Sequence, residues 1–244
     1  MGTAGPPEFS GPTDEGRPMS WFIENFDLIA GLTGNHVALS IVPIVLGFVI
    51  AVPLGWIANR WLALRSIVIA GGSLLYTIPS LPLFVMLPYL LGTRITDDRN
   101  IVVALTIYAV AMMVRIAADA LAAVPAEAIE AATAMGYSPW TRFWQVEFPL
   151  AGPVLLAGLR VVSASTIALV SVGAIIGSAN LGYLYTNGKQ RDFLEEIVIG
   201  IVASLIIALV FDVVLVLLSR VLMPWSRQSS RAKHRSILPI ERVA

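Results

Sequence analysis

Long apolar runs constrain the fold of this chain more than any other feature of its sequence. A helix needs about 20 predominantly apolar residues to cross the hydrocarbon core of a bilayer. Besides four uninterrupted apolar runs, the sequence has a fifth apolar stretch, 66–91, which is interrupted by Pro79, Pro82 and Pro88. The sequence leaves open whether this stretch crosses the membrane once or twice. The pattern predicts an all-α membrane protein with about five transmembrane helices. The four uninterrupted runs are residues 36–58, 101–118, 153–177 and 195–219.

Composition agrees with a membrane location and excludes several classes of function. Only 13% of the residues are charged, whereas a typical soluble domain carries about 25%. Acidic and basic residues balance at 16 each, so no net charge attracts nucleic acid. The chain has no cysteine, and its two histidines, His36 and His234, lie far apart in the sequence. We therefore expect no nucleic acid partner and no metal site in this chain.

The two ends of the chain differ from its apolar middle. Residues 1–20 are rich in glycine and proline and contain too little apolar surface to fold alone, which predicts disorder. Residues 21–29 mix aromatic with acidic residues, which suits either a helix at the membrane interface or a flexible lead into the first span. The sequence thus divides into a tail over 1–35, a transmembrane domain over 36–221 and a basic tail over 222–244.

Basic residues indicate how the chain is oriented in the membrane. Cytoplasmic loops of membrane proteins carry an excess of Lys and Arg. Arg60 and Arg65 follow the first span, and residues 222–244 contain five Lys and Arg against a single acid, whereas the segments on the other side have no such excess. With five crossings, the tail over 1–35 is extracytoplasmic, and the loop over 119–148 lies in the cytoplasm together with the C-terminal tail.

The cytoplasmic loop contains signals for two short helices joined by a tight turn. Pro125 suits the first position of a helix over an alanine-rich segment, and Gly136 suits the left-handed residue after its last turn. The pair Ser138–Pro139 is favourable as the N-cap and first residue of a second helix, which we expect Pro149 to stop. Two such helices would form a compact knob on the cytoplasmic face that a soluble partner could bind.

The knob, defined as residues 126–147, also carries most of a known motif. The pattern reads Glu130-Ala131-Ala132, three residues, Gly136, nine residues, then Val146, one residue, Phe148 and Pro149. It resembles the EAA loop of ABC importer permeases, which has Ile and Leu where this chain has Val146 and Phe148. The resemblance implies a MetI-like ABC importer permease fold, in which the knob forms coupling helices that insert into a cytoplasmic ATPase subunit. It also implies that ATP and Mg bind to that separate subunit, so this chain is not an enzyme.

Four further segments resemble permeases for glycine betaine, carnitine, choline and proline. Permeases for an amino acid such as methionine share much of this pattern, so that substrate stays an alternative. A departure lies at Ala179–Asn180, where the family has Gly-Gly. The resemblance implies an osmoprotectant importer in a bacterial inner membrane, with a second permease subunit, identical or paralogous, and an extracytoplasmic substrate-binding protein. The four segments are Ala51–Gly55, Tyr76–Leu81, Gly158–Arg160 and Ala174–Gly182.

Four residues at the proline break are candidates for a translocation path. Tyr76, Thr77, Pro79 and Ser80 lie where the apolar stretch is interrupted. Irregular backbone at membrane depth is tolerated where it is buried in protein or lines a cavity. We therefore expect this segment to line a path between two permease subunits, although Tyr76 could instead pack between helices.

Two charged residues lie within predicted spans. A charge in lipid is costly, so Asp212 should face other helices and make a structural hydrogen bond. Arg160 could extend to the cytoplasmic interface or pair with an acid such as Asp119. We expect both Asp212 and Arg160 to be structural rather than part of the path.

Transporters and enzymes of other classes would leave different traces in the sequence. An ion-driven secondary carrier should contain inverted repeats or several ionisable residues along a path. Inspection finds no repeat, and Asp212 alone is thin support for such a path. A membrane-embedded enzyme would need a nucleophile, a base and a metal site in a recognisable arrangement, and no such constellation appears in the sequence. The EAA-like motif therefore favours the ABC permease over both.

Overall fold

The computed structural model describes residues 17–225, which form helices joined by short turns. Residues 1–16 of the segment predicted to be disordered, and residues 226–244 of the basic tail, lie outside the described residues. Residues 17–20 are helical, so the prediction of disorder was wrong for them. The helices are α1 Arg17–Glu24, α2 Phe26–Ala58, α3 Leu62–Thr77, α4 Ser80–Leu91, α5 Asp98–Ala122, α6 Ala126–Ala134, α7 Pro139–Arg142, α8 Phe148–Val170, α9 Gly182–Gln190 and α10 Leu194–Leu222. A π-helical turn over Phe143–Glu147 precedes α8, and a 3₁₀ turn over Ser171–Ile176 follows it.

Within residues 17–225, four helical stretches are long and apolar enough to cross a membrane. Helices α3 and α4 meet at a bend of 100°, and they add a fifth crossing if the two together form one span. Gly92 ends α4 in the left-handed conformation, at φ +66°. The prediction of an all-α membrane protein with about five spans is therefore confirmed. The four stretches are Phe26–Ala58, Asp98–Ala122, Pro139–Ile176 and Leu194–Leu222.

The first span begins earlier than the sequence suggested. We predicted a tail up to residue 35, whereas α2 is helical from Phe26 onwards. Ile29 and Leu32 are buried in a cluster with residues of α8, α9 and α10. Trp21 of α1 packs on the same cluster, and its ring lies 5.6 Å from that of Phe193. Tertiary packing thus draws this mixed-polarity segment into the bundle, although its sequence also suited an interfacial helix or a flexible lead.

Helix α5 forms the centre of the bundle and packs closely along α2. Small residues allow the approach, since a Cβ built on Gly47 would lie 2.5 Å from the Cβ of Ala109. A Cβ on Gly55 would lie 2.7 Å from the backbone nitrogen of Ala118. Close approach through small residues is the usual way that membrane helices gain packing energy. The α2–α5 pair is therefore closely packed along its length and extends towards the knob.

Helix α10 lies on the outside of the bundle and presents an apolar surface. Only 6% of the residues in its most apolar 18-residue stretch are buried, so most of this helix is available to face lipid. The short helix α9 lies after the 3₁₀ turn and packs against the start of α10. Gly200 makes this contact close, because a Cβ at that position would lie 2.7 Å from the Tyr185 ring.

Candidate functional site

The first half of the knob is a short helix closed by a glycine. Helix α6 begins at Ala126, one residue later than predicted, and Pro125 takes the N-cap position. After the last turn, Gly136 adopts φ +84°. The Tyr137 amide donates to the Ala132 carbonyl at 3.1 Å, and the Gly136 amide donates to Thr133 at 3.0 Å. These two bonds form a Schellman ending, as the sequence pattern indicated.

The second half of the knob begins as predicted but does not end as predicted. The Ser138 side chain accepts a hydrogen bond from the Thr141 amide at 3.2 Å, which caps α7 at its Pro139 start. We expected Pro149 to stop this helix, and that prediction was wrong. The widened π turn precedes Pro149, which then occupies the first turn of α8. A wider turn accommodates a residue that lacks an N–H and crowds the carbonyl four residues earlier.

A polar network that the sequence analysis missed connects the two halves of the knob to α2. Arg142 donates to a Glu147 oxygen at 2.8 Å and to the Thr133 hydroxyl at 2.9 Å. The other Glu147 oxygen accepts from the Trp56 indole at 3.1 Å. Glu147 occupies the unspecified position of the EAA-like pattern. Its spacing of five residues from Arg142 fits a π turn, which the sequence did not reveal.

The residues of the EAA-like pattern divide between an outer and an inner face of the knob. Glu130 and Ala131 are exposed, whereas Ala132 is buried against the bundle. Val146, Phe148 and Pro149 are partly buried where the knob passes into α8. Large apolar side chains surround the exposed part, with Met135 at 69% and Trp140 at 61% exposure. The knob therefore offers an apolar surface with an acidic residue beside it.

An arginine-rich cavity lies between the knob and the ends of the first two spans. Its volume is about 350 Å³, and Arg60, Arg65 and Arg142 line it. The Arg60 guanidinium lies 4.2 Å from the centre of the Trp56 ring. Across residues 17–225, no group of three or more His, Asp or Glu side chains could hold a metal ion.

The structure places the candidate path residues together at the sharp bend between α3 and α4. Tyr76, Thr77 and Pro79 are exposed on the surface of the chain, and Ser80 is partly buried. The Tyr76 ring packs edge-on against Tyr108, with ring centres 6.1 Å apart, and Tyr108 donates a hydrogen bond to the Ile78 carbonyl. An exposed break of this kind is costly in lipid, so it needs a protein surface or a water-filled cavity beside it.

Arg160 and Asp212 pair with each other. Their contact joins α8 to α10 through two hydrogen bonds of 2.5 and 2.9 Å. Asp119, which we had considered as a partner for Arg160, instead binds Arg65 at 2.7 Å. A bidentate pair of this kind satisfies both charges within two apolar helices. The structural role of Asp212 and Arg160 stays a prediction.

Comparison with known proteins identifies the family. The family described as binding-protein-dependent transport system inner membrane component matches residues 43–228. This chain belongs to that family. The match includes the knob and all the helices after α2, and it confirms the resemblance to ABC importer permeases that the EAA-like pattern indicated. The chain is therefore the membrane-embedded permease component of an ABC importer, a transport protein with several membrane-spanning helices.

Several named transport proteins are similar to this permease. It is 32% identical to the osmoprotectant import permease protein OsmW of Salmonella typhimurium over 207 residues, covering 84% of this chain and 96% of that protein. It is 30% identical to the glycine betaine/carnitine/choline transport system permease protein OpuCB of Bacillus subtilis over 199 residues, covering 82% of this chain and 90% of that protein.

Solved structures share the fold of this permease. An inward-facing structure of the MetNI methionine ABC transporter matches with a TM-score of 0.63 and 24% identity, covering 84% of this chain and 97% of that chain. An amino acid ABC transporter with histidines matches with a TM-score of 0.66 and 18% identity, covering 82% of this chain and 97% of that chain. At these identities the likeness shows the fold alone.

Proposed function

We propose that this permease imports osmoprotectants, small zwitterions or quaternary ammonium compounds such as glycine betaine, choline, carnitine or proline. The observation that carries the proposal is the similarity, over more than four fifths of the chain, to permeases named for osmoprotectant and betaine, carnitine and choline transport. The methionine transporter resembles this chain in fold at 24% identity, which gives no support for a methionine substrate.

The knob is the site that couples transport to a separate ATPase subunit. Its exposed helix, fixed between Pro125 and the left-handed Gly136, is a rigid convex surface that suits a cleft. Glu130 and Ala131 face outwards for that contact, while the buried and partly buried residues of the pattern pack against the bundle. The inward residues Ala132, Val146, Phe148 and Pro149 set the angle at which the knob leaves α8.

Two permease subunits, identical or paralogous, enclose the path. The exposed bend at Tyr76, Thr77, Pro79 and Ser80 supports this arrangement, because its irregular backbone needs a protein or water-filled neighbour at membrane depth. The path alternates between access from outside and from the cytoplasm. Closure of the ATPase subunits moves the knobs and opens the outer side.

The chain binds no ATP, Mg or other cofactor, and it performs no catalysis. Those tasks belong to the cytoplasmic ATPase, while an extracytoplasmic binding protein delivers the substrate. The N-terminus is extracytoplasmic and the C-terminal tail cytoplasmic in the inner membrane of a bacterium, and lipid contacts the exposed face of α10. Arg60 and Arg65 beside the knob support this orientation, since basic residues favour the cytoplasmic side.

Uptake by reconstituted vesicles tests the substrate. Vesicles would contain this permease, its ATPase and its binding protein, and would be offered labelled glycine betaine or labelled methionine with ATP. We expect uptake of betaine that depends on the binding protein. Methionine uptake without betaine uptake would move the assignment to an amino acid. Betaine uptake that persists without the binding protein would refute the proposed delivery step.

A further inference from the structure

A single buried carboxylate holds the knob to the first transmembrane helix. The Glu147 side chain is only 9% exposed and that of Arg142 only 22% exposed. Hydrogen bonds between ionised groups strengthen when water is excluded. Because the second Glu147 oxygen accepts from Trp56, the ion pair within the knob is continued into α2.

Several aromatic rings pack around this link and limit its freedom. The Trp56 ring lies 4.9 Å from Phe143 and 6.0 Å from Trp140, measured between ring centres. Phe143 is almost fully buried at the start of the π turn. Packing against these rings thus orients the Trp56 indole, and the hydrogen bond to Glu147 holds its N–H. Such a link resists both sliding and rotation of the knob relative to α2.

Helix α2 also has polar contacts in its first half. The stretch of this helix from Asn35 to Trp56 rises roughly 30 Å at 1.5 Å per residue. The Asn35 side chain donates to the Ala179 carbonyl at 2.5 Å, and the His36 Nε2 atom lies 3.1 Å from the Ile167 carbonyl. The segment at Ala179 follows the 3₁₀ turn after α8. One continuous helix therefore joins the knob to the loop at the far end of the bundle.

We propose that Trp56, Arg142 and Glu147 are positioning residues that make the knob and α2 move as one body. A displacement of the knob by the ATPase would then be passed along α2 to the loop at Ala179. This inference rests on the proposed docking of the knob on the ATPase. It assigns to α2 a mechanical role that the EAA-like pattern does not contain.

Conservative variants of the link test this role in vesicles that hold the complete transporter. Trp56→Phe keeps the ring but removes the indole donor, and Arg142→Gln removes the charge that faces Glu147. Each should lower the amount of substrate taken up per ATP hydrolysed by about tenfold, the effect of losing one hydrogen bond to a charged group. Binding of the ATPase should stay intact. The matched controls, Trp61→Phe and Arg115→Gln, change exposed residues and should keep the parent ratio.

Spin labels measure the shared motion directly. Labels at Val49 of α2 and Glu127 of α6, introduced as cysteines into this cysteine-free chain, report the distance between helix and knob. In the parent, this distance should be the same without nucleotide and with trapped ATP. In the Arg142→Gln variant, the distribution of distances between the two labels should broaden. A parent distance that changes between the two states, or an equally narrow distribution in the variant, would overturn the inference.

The outcomes separate this inference from the function on which it rests. If the parent takes up substrate with ATP but Trp56→Phe and Arg142→Gln keep its uptake per ATP, the link has no positioning role and the proposed docking still stands. If the parent chain binds no ATPase at all, the proposed docking is refuted, and the positioning role proposed for the link to α2 is refuted as well.

Discussion

Substitution of Gly136 tests the knob most simply, because the structure isolates a single physical cost. Gly136 has φ +84°, and a Cβ there would meet no heavy atom within 4 Å. The cost of Gly136→Ala is therefore conformational, about 1–2 kcal/mol for an L-residue in the left-handed region. A loss of that size lowers the ratio of folded to unfolded knob by about 5- to 30-fold. We expect normal membrane insertion, with uptake and stimulated ATP hydrolysis falling together. Gly136→Leu should do the same.

Two variants test whether backbone strain in the knob causes the loss of uptake in Gly136→Ala. Gly136→Asn should retain more uptake than Gly136→Ala, because asparagine tolerates the left-handed region better. Gly92 has φ +66° at the end of α4 and also faces open space, so Gly92→Ala has a similar cost away from the knob. Coupled hydrolysis, measured in vesicles with and without binding protein, should survive in Gly92→Ala. Parent-like coupling in Gly136→Ala, or equal losses in both alanine variants, would refute the reasoning.

Three further predictions concern the membrane domain. Arg160→Leu or Asp212→Leu alone should lower the yield of monodisperse protein in detergent, because each single change leaves one charge unpaired. The double variant should recover this yield, and an equally low yield from the double variant would contradict the prediction. Gly55→Ala should destabilise the protein by about 1–3 kcal/mol through overpacking against α5, which thermal unfolding would detect. A cysteine at Glu127 should react only with reagent on the cytoplasmic side and one at Thr96 only from outside, and the reverse labelling would overturn the orientation.

Features governed by local rules were predictable from the sequence. The left-handed Gly136 and the Ser138 cap follow from residue type and position, and the structure has both. The five apolar segments likewise follow from length and composition alone.

Features that depend on tertiary contacts were not predictable in the same way. The early start of α2 depends on burial of Ile29 and Leu32 against helices far along the chain. The continuation of the helix through Pro149 depends on a widened turn that residue propensities do not encode. The bond between Trp56 and Glu147 joins residues 91 positions apart, and neither residue has a local signal for it.

Photo-crosslinking from the knob tests the central claim most directly. A photoreactive residue in place of Met135, which is 69% exposed on the knob, would be compared with one in place of Leu90, which is 70% exposed on α4. Because the two positions are equally accessible in the chain, a difference in crosslinking reports contact with a partner. With the ATPase present, we predict that the Met135 probe forms an adduct with the ATPase and that the Leu90 probe does not. No ATPase adduct from Met135, or equal adducts from both positions, would contradict the proposed coupling site.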